Sequence, residues 1–351
     1  MALAVALALS ALSLFLLHRT GNLQLAGLPE ALSARWSLVV LSVGCQVAVS
    51  LTSLVRYRFL LGRLGVRLPF GRLVGPTFVA QAVGTWLPAS MAVSEALRLA
   101  LMFGLTGGEE RDRSSWRARI ALASLVDRTI GQGAMLLVGS AVGFFLLSSG
   151  DPIATAPRVL FVSSVLAALG GVLLLALPFL VRAAWIRQLL DRLSDFASRS
   201  PQAGLLVGLL RRVLSVSQKL VAGAADLTSN AAWLVVPSLL SAVLLLISCL
   251  TLYLPGLATP HPTPLTAILV GVPLLSLSLI IPLGFAGVGS QQFLALGVFS
   301  MFAVDGASLV TASLVQNALA LASTTLLGGL AALFLFRDLR ALRRARAAPI
   351  P

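Results

Sequence analysis

Four charged residues interrupt long apolar stretches of the chain: Glu95, Arg98, Asp127 and Arg128. An ionised side chain at membrane depth costs about 2.5 kcal/mol or more by insertion scales, so such residues are usually paired and usually functional. Glu95 and Arg98 stand three residues apart and would share one face of a helix. One interpretation is a structural ion pair between these two residues. The other is a cluster of all four charges, with the cross pairs Glu95 with Arg128 and Asp127 with Arg98.

Arginine in this setting favours an anionic ligand. A guanidinium group can hold a phosphate through two parallel hydrogen bonds, and a lipid phosphate would supply counter-charge when the ion pairs rearrange. Helices that begin after Pro88 and Gly289 would direct further backbone N–H donors towards the same centre. On charge, we expect an anionic headgroup rather than a cation.

The second half of the chain carries neutral polar residues at the corresponding places. These residues are Ser290, Gln291, Gln292, Gln316 and Asn317. They could bind headgroup hydroxyls, or they could hydrogen-bond to one another across helices.

The elements that position these residues are membrane helices. Of the 351 residues, 58% are hydrophobic and only 11% are charged, whereas soluble domains carry roughly 25% charged residues. A helix needs roughly 17 to 25 apolar residues to cross a bilayer. The first apolar segment has no basic n-region or convincing cleavage site, which argues against a signal peptide. Six segments are predicted to cross: residues 1–17, 36–55, 120–147, 158–181, 231–254 and 307–336.

Two further apolar stretches, residues 70–105 and 265–304, are too long for one helix and are broken near their middle by Pro and Gly. Basic residues mark the cytoplasmic side of a membrane protein. Segments 56–72, 111–119 and 182–219 and the tail from 337 hold 21 of the 26 basic residues. These basic segments all lie on the cytoplasmic side of the membrane only if both broken stretches are hairpins, each returning to the side from which it entered.

The predicted fold class is therefore an all-α integral membrane protein with six full crossings and two Pro/Gly-broken re-entrant helical hairpins in an inverted-topology repeat. The first repeat spans 1–147 and the second 158–336, followed by a basic tail, 337–351. The protein is expected in the inner cell membrane, with both termini in the cytoplasm. Segment 87–98 aligns with segment 281–292 in support of the repeat, and segment 182–221 is predicted to be amphipathic and interfacial. Transporters built from inverted repeats place their substrate near the midplane.

Several function classes are disfavoured. The net charge of +14 comes without interleaved aromatic and basic residues, so nucleic acid is not expected as a partner. Cys45 and Cys249 lie in separate apolar runs and suggest neither a disulfide nor a metal site. Catalytic motifs are missing, and His18 and His261 fall in predicted outer connections, so we expect neither an enzyme nor a cofactor.

Taken in chain order, the motif residues are Pro88, then Ser94-Glu95-x-x-Arg98, then Asp127-Arg128, then Pro282, then Gly287-Val288-Gly289-x-x-Gln292. This pattern resembles the membrane domain of bacterial lysylphosphatidylglycerol synthases, which also occurs alone as a flippase-like family. The resemblance implies that the motif residues contact the substrate.

Three positions depart from the family pattern. Ser94 and Ala286 stand where the family has glycine, and Gln292 stands where it has glutamate. If that glutamate carries a proton or contacts an amine in relatives, this chain is expected to bind a different headgroup or to transport without that step. The chain ends soon after the last span, which implies lipid translocation without the aminoacyl-transferase domain.

We therefore expect a flippase or transporter that moves a phospholipid or another lipid with an anionic headgroup between leaflets. One alternative is a carrier for a small water-soluble anion that uses the same arginines. Another is a non-transporting protein that presents lipid to a separate lipid-modifying transferase. The sequence does not indicate an oligomeric state.

Overall fold

The computed structural model describes residues 2–22, 35–87, 90–105, 110–150, 155–180, 188, 191–192, 195, 231–278 and 288–347. Within these ranges the chain forms helices and no strand. A 3₁₀ turn, Ala231–Leu234, precedes α7. The helices are α1 (Ala2–Arg19), α2 (Trp36–Arg63), α3 (Phe70–Thr85), α4 (Ser90–Leu105), α5 (Glu110–Ser149), α6 (Pro157–Leu180), α7 (Val235–Gly256), α8 (Leu265–Ser278), α9 (Ser290–Phe299) and α10 (Gly306–Ala347).

Five helical segments in this part of the chain are long and apolar enough to cross a membrane, and they match five of the six predicted crossings. The first predicted crossing, 1–17, forms the 18-residue α1 and is not among the five. Large apolar side chains such as Phe145 and Leu333 are exposed on the outer faces, as expected where helices meet lipid. The protein is therefore a multi-pass membrane protein. The five segments are Trp36–Arg63, Ser115–Ser149, Pro157–Phe179, Ala232–Gly256 and Gly306–Phe336.

Both long apolar stretches are broken as predicted. The first divides into α3 and α4, which pack so closely that a Cβ added at Gly84 would lie 2.5 Å from the Cβ of Ser94. The second divides into α8 and α9, and α9 ends at Phe299, before the predicted limit of 304. The re-entrant course of these helices in the bilayer remains a prediction.

Several helices extend beyond the predicted crossings. Helix α5 has 40 residues, roughly 60 Å at 1.5 Å per residue, which is about twice the hydrocarbon thickness. Helix α10 has 42 residues and continues into the predicted basic tail. Helix α2 continues to Arg63 rather than ending at residue 55, which brings part of an arginine-rich predicted connection into a membrane helix. The interfacial segment predicted at 182–221 lies almost wholly outside the described residues.

Helix contacts are repeated between the two halves. Helix α3 packs against α10 as α8 packs against α5, and α2 contacts α10 as α7 contacts α5. Within each half, α2 contacts α3 and α5, and α7 contacts α8 and α10. Helices α2 and α7 pack against each other at the centre. Exchanging α2–α5 with α7–α10 therefore preserves the contacts among these eight helices, which is the pattern expected of two structurally similar halves.

Helix α10 begins with a capping contact outside the membrane segment. Asp305 Oδ2 accepts a hydrogen bond of 2.8 Å from the backbone N–H of Ser308, the arrangement of an N-cap residue and its third helical residue. The hydrogen bond from the Ser308 backbone holds the pKa of the Asp305 carboxyl below its ordinary value. Its stabilising effect is present above the ordinary aspartate pKa and is lost as the pH falls through the lowered pKa.

We expect Asp305→Ala to lower the free energy of unfolding by about 1 kcal/mol, because the N-terminal N–H groups of α10 lose their acceptor. The measurement is unfolding of the purified protein in mixed micelles at neutral pH. Asp305→Asn is the matched control and should keep most of the stability, since asparagine also caps helices. Wild-type stability of Asp305→Ala would show that the cap contributes nothing.

Candidate functional site

Arg56 is a buried member of the charged cluster. Because α2 continues to Arg63, Arg56 lies inside the helix and is only 5% exposed. Its Nε donates a hydrogen bond to Asp127 Oδ1 at 2.7 Å, and its Nη1 donates to Ser241 Oγ at 2.7 Å. The sequence interpretation assigned Arg56 to a connection between helices and counted four charges in the cluster. The structure corrects both points, because Arg56 lies within a membrane-capable helix as a fifth member of the charged cluster.

Glu95 joins the other two arginines. Its Oε1 accepts a hydrogen bond of 2.6 Å from Arg98 Nη2, and its Oε2 lies 3.3 Å from Arg128 Nη2. The predicted pairs of Glu95 with Arg98 and with Arg128 are both confirmed. The predicted pair of Asp127 with Arg98 is wrong, since Asp127 takes Arg56 as its partner.

Arg98 is fixed by three helices. Its guanidinium carbon lies 4.0 Å from the centre of the Tyr57 ring of α2, within the range of a cation–π contact. Its Nη2 donates to Ser124 Oγ of α5 at 3.1 Å, and Ser124 Oγ donates to Tyr57 Oη at 3.2 Å. The Nε of Arg98 is buried and has no hydrogen-bond partner. Arg98 is thus held in place with one buried donor unpaired.

These charges border a cavity of about 320 Å³ between α2, α3, α4, α5 and α7. The accessible cation is Arg128, whose side chain is 39% exposed, against 6% for Arg56 and for Arg98. Three arginines face two carboxylates, Glu95 and Asp127, so the cluster has one positive charge in excess. Neutral polar side chains on the wall are those of Ser50, Ser53, Thr77, Gln81, Thr85, Ser90, Ser94 and Gln132, and the apolar ones include Val49, Met91, Met135 and Leu244.

Among the described residues, the predicted site residues that meet at the cavity all belong to the first half. Ser94, Glu95, Arg98 and Arg128 line the cavity, and Asp127 is buried behind it against Arg56. Three other predicted site residues, Pro88, Pro282 and Gly287, lie outside the described residues.

The described site residues of the second half, Gly289, Gln291, Gln292, Gln316 and Asn317, do not line this cavity. Gln292 is fully buried, where its Oε1 accepts from the Gly289 N–H at 2.6 Å and its Nε2 donates to Ser313 Oγ at 3.1 Å. Gln316 Nε2 donates to Thr251 Oγ1 at 3.0 Å. Gln291 and Asn317 are half-buried. In this conformation the glutamines make contacts across helices, and a direct role in substrate binding remains a prediction.

Sequence reasoning missed Arg56, Tyr57 and Ser124. A signal for Arg56 was present, because the apolar run that ends at Val55 resumes immediately as Phe59-Leu60-Leu61. Its burial was masked by the neighbouring arginines, which suggested a cytoplasmic connection. No comparable signal marks Ser124, whose role depends on how α5 is rotated against α2 and α4.

Gly131 leaves room for the Arg56 guanidinium. A Cβ at this position would lie 2.8 Å from both Arg56 Nη1 and Nη2. Since Arg56 is held by Asp127 and Ser241, we expect Gly131→Ala to break at least one of these contacts and lower the free energy of unfolding by about 1 to 3 kcal/mol. Gly44→Ala on α2 is the control, because nothing lies within 4 Å of its added Cβ. Equal stability of both variants in mixed-micelle unfolding would contradict the packing at Gly131.

Comparison with known proteins identifies the family to which the chain belongs. Neither a curated protein nor a solved structure matches the chain. Residues 1–328 match the family described as the lysylphosphatidylglycerol synthase TM region, the family that the motif order predicts. This match covers nearly all of the helices described above, including every residue of the charged cluster. The chain therefore belongs to the lysylphosphatidylglycerol synthase TM region family, which indicates a function related to membrane lipids.

Proposed function

We propose that the protein binds an anionic lipid headgroup in the cavity between α2 and α5 and moves the lipid between leaflets without changing it chemically. The observation that carries the proposal is the excess of one positive charge beside a cavity of about 320 Å³ inside a membrane protein. A site with this charge is completed by a ligand with one net negative charge, because uncompensated charge at membrane depth is costly.

The phosphate of such a lipid has a defined place to bind. Arg128 is the accessible cation, and its contact with Glu95 is the longest of the three ion pairs, at 3.3 Å. A phosphate oxygen can replace the carboxylate of Glu95 at Arg128. The buried Nε of Arg98, which has no partner, becomes a second donor once the displaced Glu95 uncovers it. Arg56 and Asp127 neutralise each other and support the wall behind.

Two further features favour a lipid over a soluble anion. Methionine and aliphatic side chains on the cavity wall, such as Met91 and Met135, suit the glycerol and upper acyl segments of a lipid. The repeated helix contacts of the two halves support an inverted repeat with six crossings and two re-entrant hairpins, the arrangement in which a midplane site serves both leaflets. In this proposal the protein resides in the cell membrane with both termini in the cytoplasm.

The test is reconstitution into vesicles that contain fluorescent anionic, zwitterionic or cationic phospholipids, with dithionite quenching to follow movement between leaflets. We expect protein-dependent movement of the anionic lipid, and loss of that movement in the double variant Arg98→Ala, Arg128→Ala. Protein-free vesicles and the variant Gly44→Ala, whose added Cβ meets nothing within 4 Å and lies outside the cavity lining, are the controls.

Retained movement in the double variant would refute the assigned role of the two arginines. Absence of movement for every lipid, with folded protein, would refute the flippase proposal. Uptake of a soluble anion would then favour the carrier alternative. Co-purification with a transferase would favour the lipid-presenting alternative.

A further inference from the structure

The wall of the cavity carries neutral polar groups that the ion pairs do not use. Thr77 of α3 lines the cavity, and its Oγ1 is buried without a hydrogen-bond partner. Gln81 lies one turn further along the same face of α3. Its side-chain amide makes no hydrogen bond within the described part of the chain. Because a polar group that is buried without a partner costs free energy, these groups indicate a ligand that bonds to them.

Helices α2 and α5 place further neutral groups beside the arginines. Ser53 lies three residues before Arg56 and faces the same cavity. Gln132 lies four residues after Arg128, on the same face of α5. Its Oε1 lies 2.8 Å from Ser276 Oγ of α8, and its Nε2 makes no hydrogen bond among the described residues. The neutral part of the wall therefore begins directly beside the cations.

Three other hydroxyls on this wall can only accept a hydrogen bond from a ligand. The Oγ atoms of Ser50 and Ser94 and the Oγ1 of Thr85 donate to backbone carbonyls of their own helices, at 3.2, 3.1 and 2.7 Å. Thr77 and Gln81, in contrast, can donate as well as accept. A wall that mixes donors and acceptors matches the hydroxyl group, which donates one hydrogen bond and accepts two. An alkyl group in the same place would leave these polar groups unpaired.

The cavity offers no carboxylate to a ligand amine. Both carboxylate oxygens of Glu95 are engaged, one by Arg98 and the other by Arg128. Asp127 is buried against Arg56 and does not line the cavity. An ammonium group would therefore meet neutral oxygens only, beside a cluster that already carries one excess positive charge. Such an arrangement is unfavourable, because like charges repel more strongly where water is scarce.

We propose that the ligand is a phosphodiester whose headgroup ends in uncharged hydroxyls, as in a polyol or a sugar. The arginines bind the phosphate, while Thr77 and Gln81 bind the hydroxyls and select them against alkyl groups and amines. That this headgroup belongs to a lipid rests on the proposed function. The cavity, at about 320 Å³, lies at the lower end of the usual range for ligand sites, roughly 300 to 1,000 Å³, which suits a headgroup rather than a whole lipid.

Three lipids of equal net charge separate these features in the vesicle assay with dithionite quenching. Each is labelled on an acyl chain, so that its headgroup is unchanged. Phosphatidylglycerol carries hydroxyls, phosphatidylethanol carries only an ethyl group, and phosphatidylserine carries an amine and a carboxylate. We expect phosphatidylglycerol to move at least about tenfold faster than either of the others, because loss of two hydrogen bonds weakens binding by about that factor.

The double variant Thr77→Val, Gln81→Leu tests the two residues directly. We expect it to reduce the preference for phosphatidylglycerol over phosphatidylethanol to less than about twofold, because the hydroxyls lose their partners. The matched control is Gln46→Leu, Thr52→Val, which removes the same kinds of group from α2 residues outside the cavity lining and should keep the preference. A general loss of stability slows all lipids alike and does not change this ratio. If the double variant does not fold, the lipid series on the wild-type protein still decides.

Equal movement of the three lipids, or fastest movement of phosphatidylserine, would overturn the inference and leave the proposed function standing. If no lipid moves, the transport proposal fails, and binding decides the inference. Its measurement is unfolding of the protein in mixed micelles with short-chain versions of the same lipids, since a ligand that binds the folded state stabilises it. Greater stabilisation by phosphatidylglycerol than by phosphatidylethanol would support the selection of hydroxyls, and equal effects would overturn it.

The deacylated compound glycerophosphoglycerol distinguishes a lipid from a soluble source of the same headgroup. Much weaker stabilisation by this compound than by short-chain phosphatidylglycerol would support a lipid ligand. Equal stabilisation would support the headgroup chemistry and refute lipid as its necessary carrier. The two proposals can therefore fail independently.

Discussion

Asp127→Ala is expected to lower the free energy of unfolding by about 3 to 5 kcal/mol, the usual cost of removing one partner from a buried ion pair. Asp127 is 1% exposed and accepts the Nε hydrogen bond of Arg56 at 2.7 Å. Without the carboxylate, Arg56 keeps only the neutral Ser241 hydroxyl as a bonded side chain. The measurement is denaturant-induced unfolding of the purified protein in mixed micelles.

The double variant Arg56→Met, Asp127→Leu separates the loss of a partner from the loss of the pair. Both charges are then replaced by apolar side chains of similar volume, so no buried charge remains uncompensated. We expect this variant to regain most of the stability that Asp127→Ala loses, since apolar replacements of buried ion pairs are often neutral or stabilising. A loss below about 1 kcal/mol for Asp127→Ala would mean that the Arg56–Asp127 pair does not hold α2 against α5.

The helices could be predicted from the sequence because apolar length and Pro/Gly breaks are properties of the chain itself. Five helices long enough to cross a membrane and both broken stretches follow from those two signals. The residues at which the helices end could not be predicted in this way, because hydropathy reports where the bilayer ends. Polar residues 110–119 continue α5 beyond the apolar run, and arginines from residue 56 onward masked the end of α2.

The charged site could be predicted only in part for a related reason. Glu95, Arg98 and Arg128 are conspicuous because each interrupts an apolar run. Arg56 is followed by further arginines that the positive-inside rule already explains, so its burial leaves little trace in the sequence. The choice of partner depends on how α2, α4 and α5 are rotated about their axes, and residue spacing does not determine this rotation.

Charge in the cavity is expected to control transport of an anionic lipid, and Arg128 is the residue that tests this most cleanly. Arg98 also holds Tyr57 and Ser124, so its loss affects packing, whereas the ion pair of Arg128 is to Glu95 alone. Truncating one partner of a bound charge pair costs about 2 to 5 kcal/mol. Because the Arg128 side chain is 39% exposed, solvent screening brings the cost of removing it to about 2 kcal/mol. This cost corresponds to transport about 30-fold slower.

A series of variants separates net charge from the presence of a particular side chain. With three arginines and two carboxylates the cluster carries +1. Arg128→Gln lowers this to zero and should slow anionic lipid movement about 30-fold, while Arg128→Glu lowers it to −1 and should abolish movement. The double variant Glu95→Gln, Arg128→Gln restores +1 and should recover much of the wild-type rate, because Arg98 is then freed to bind the phosphate. If the double variant is as slow as Arg128→Gln, the guanidinium of Arg128 itself is required, and the excess charge alone does not select the lipid.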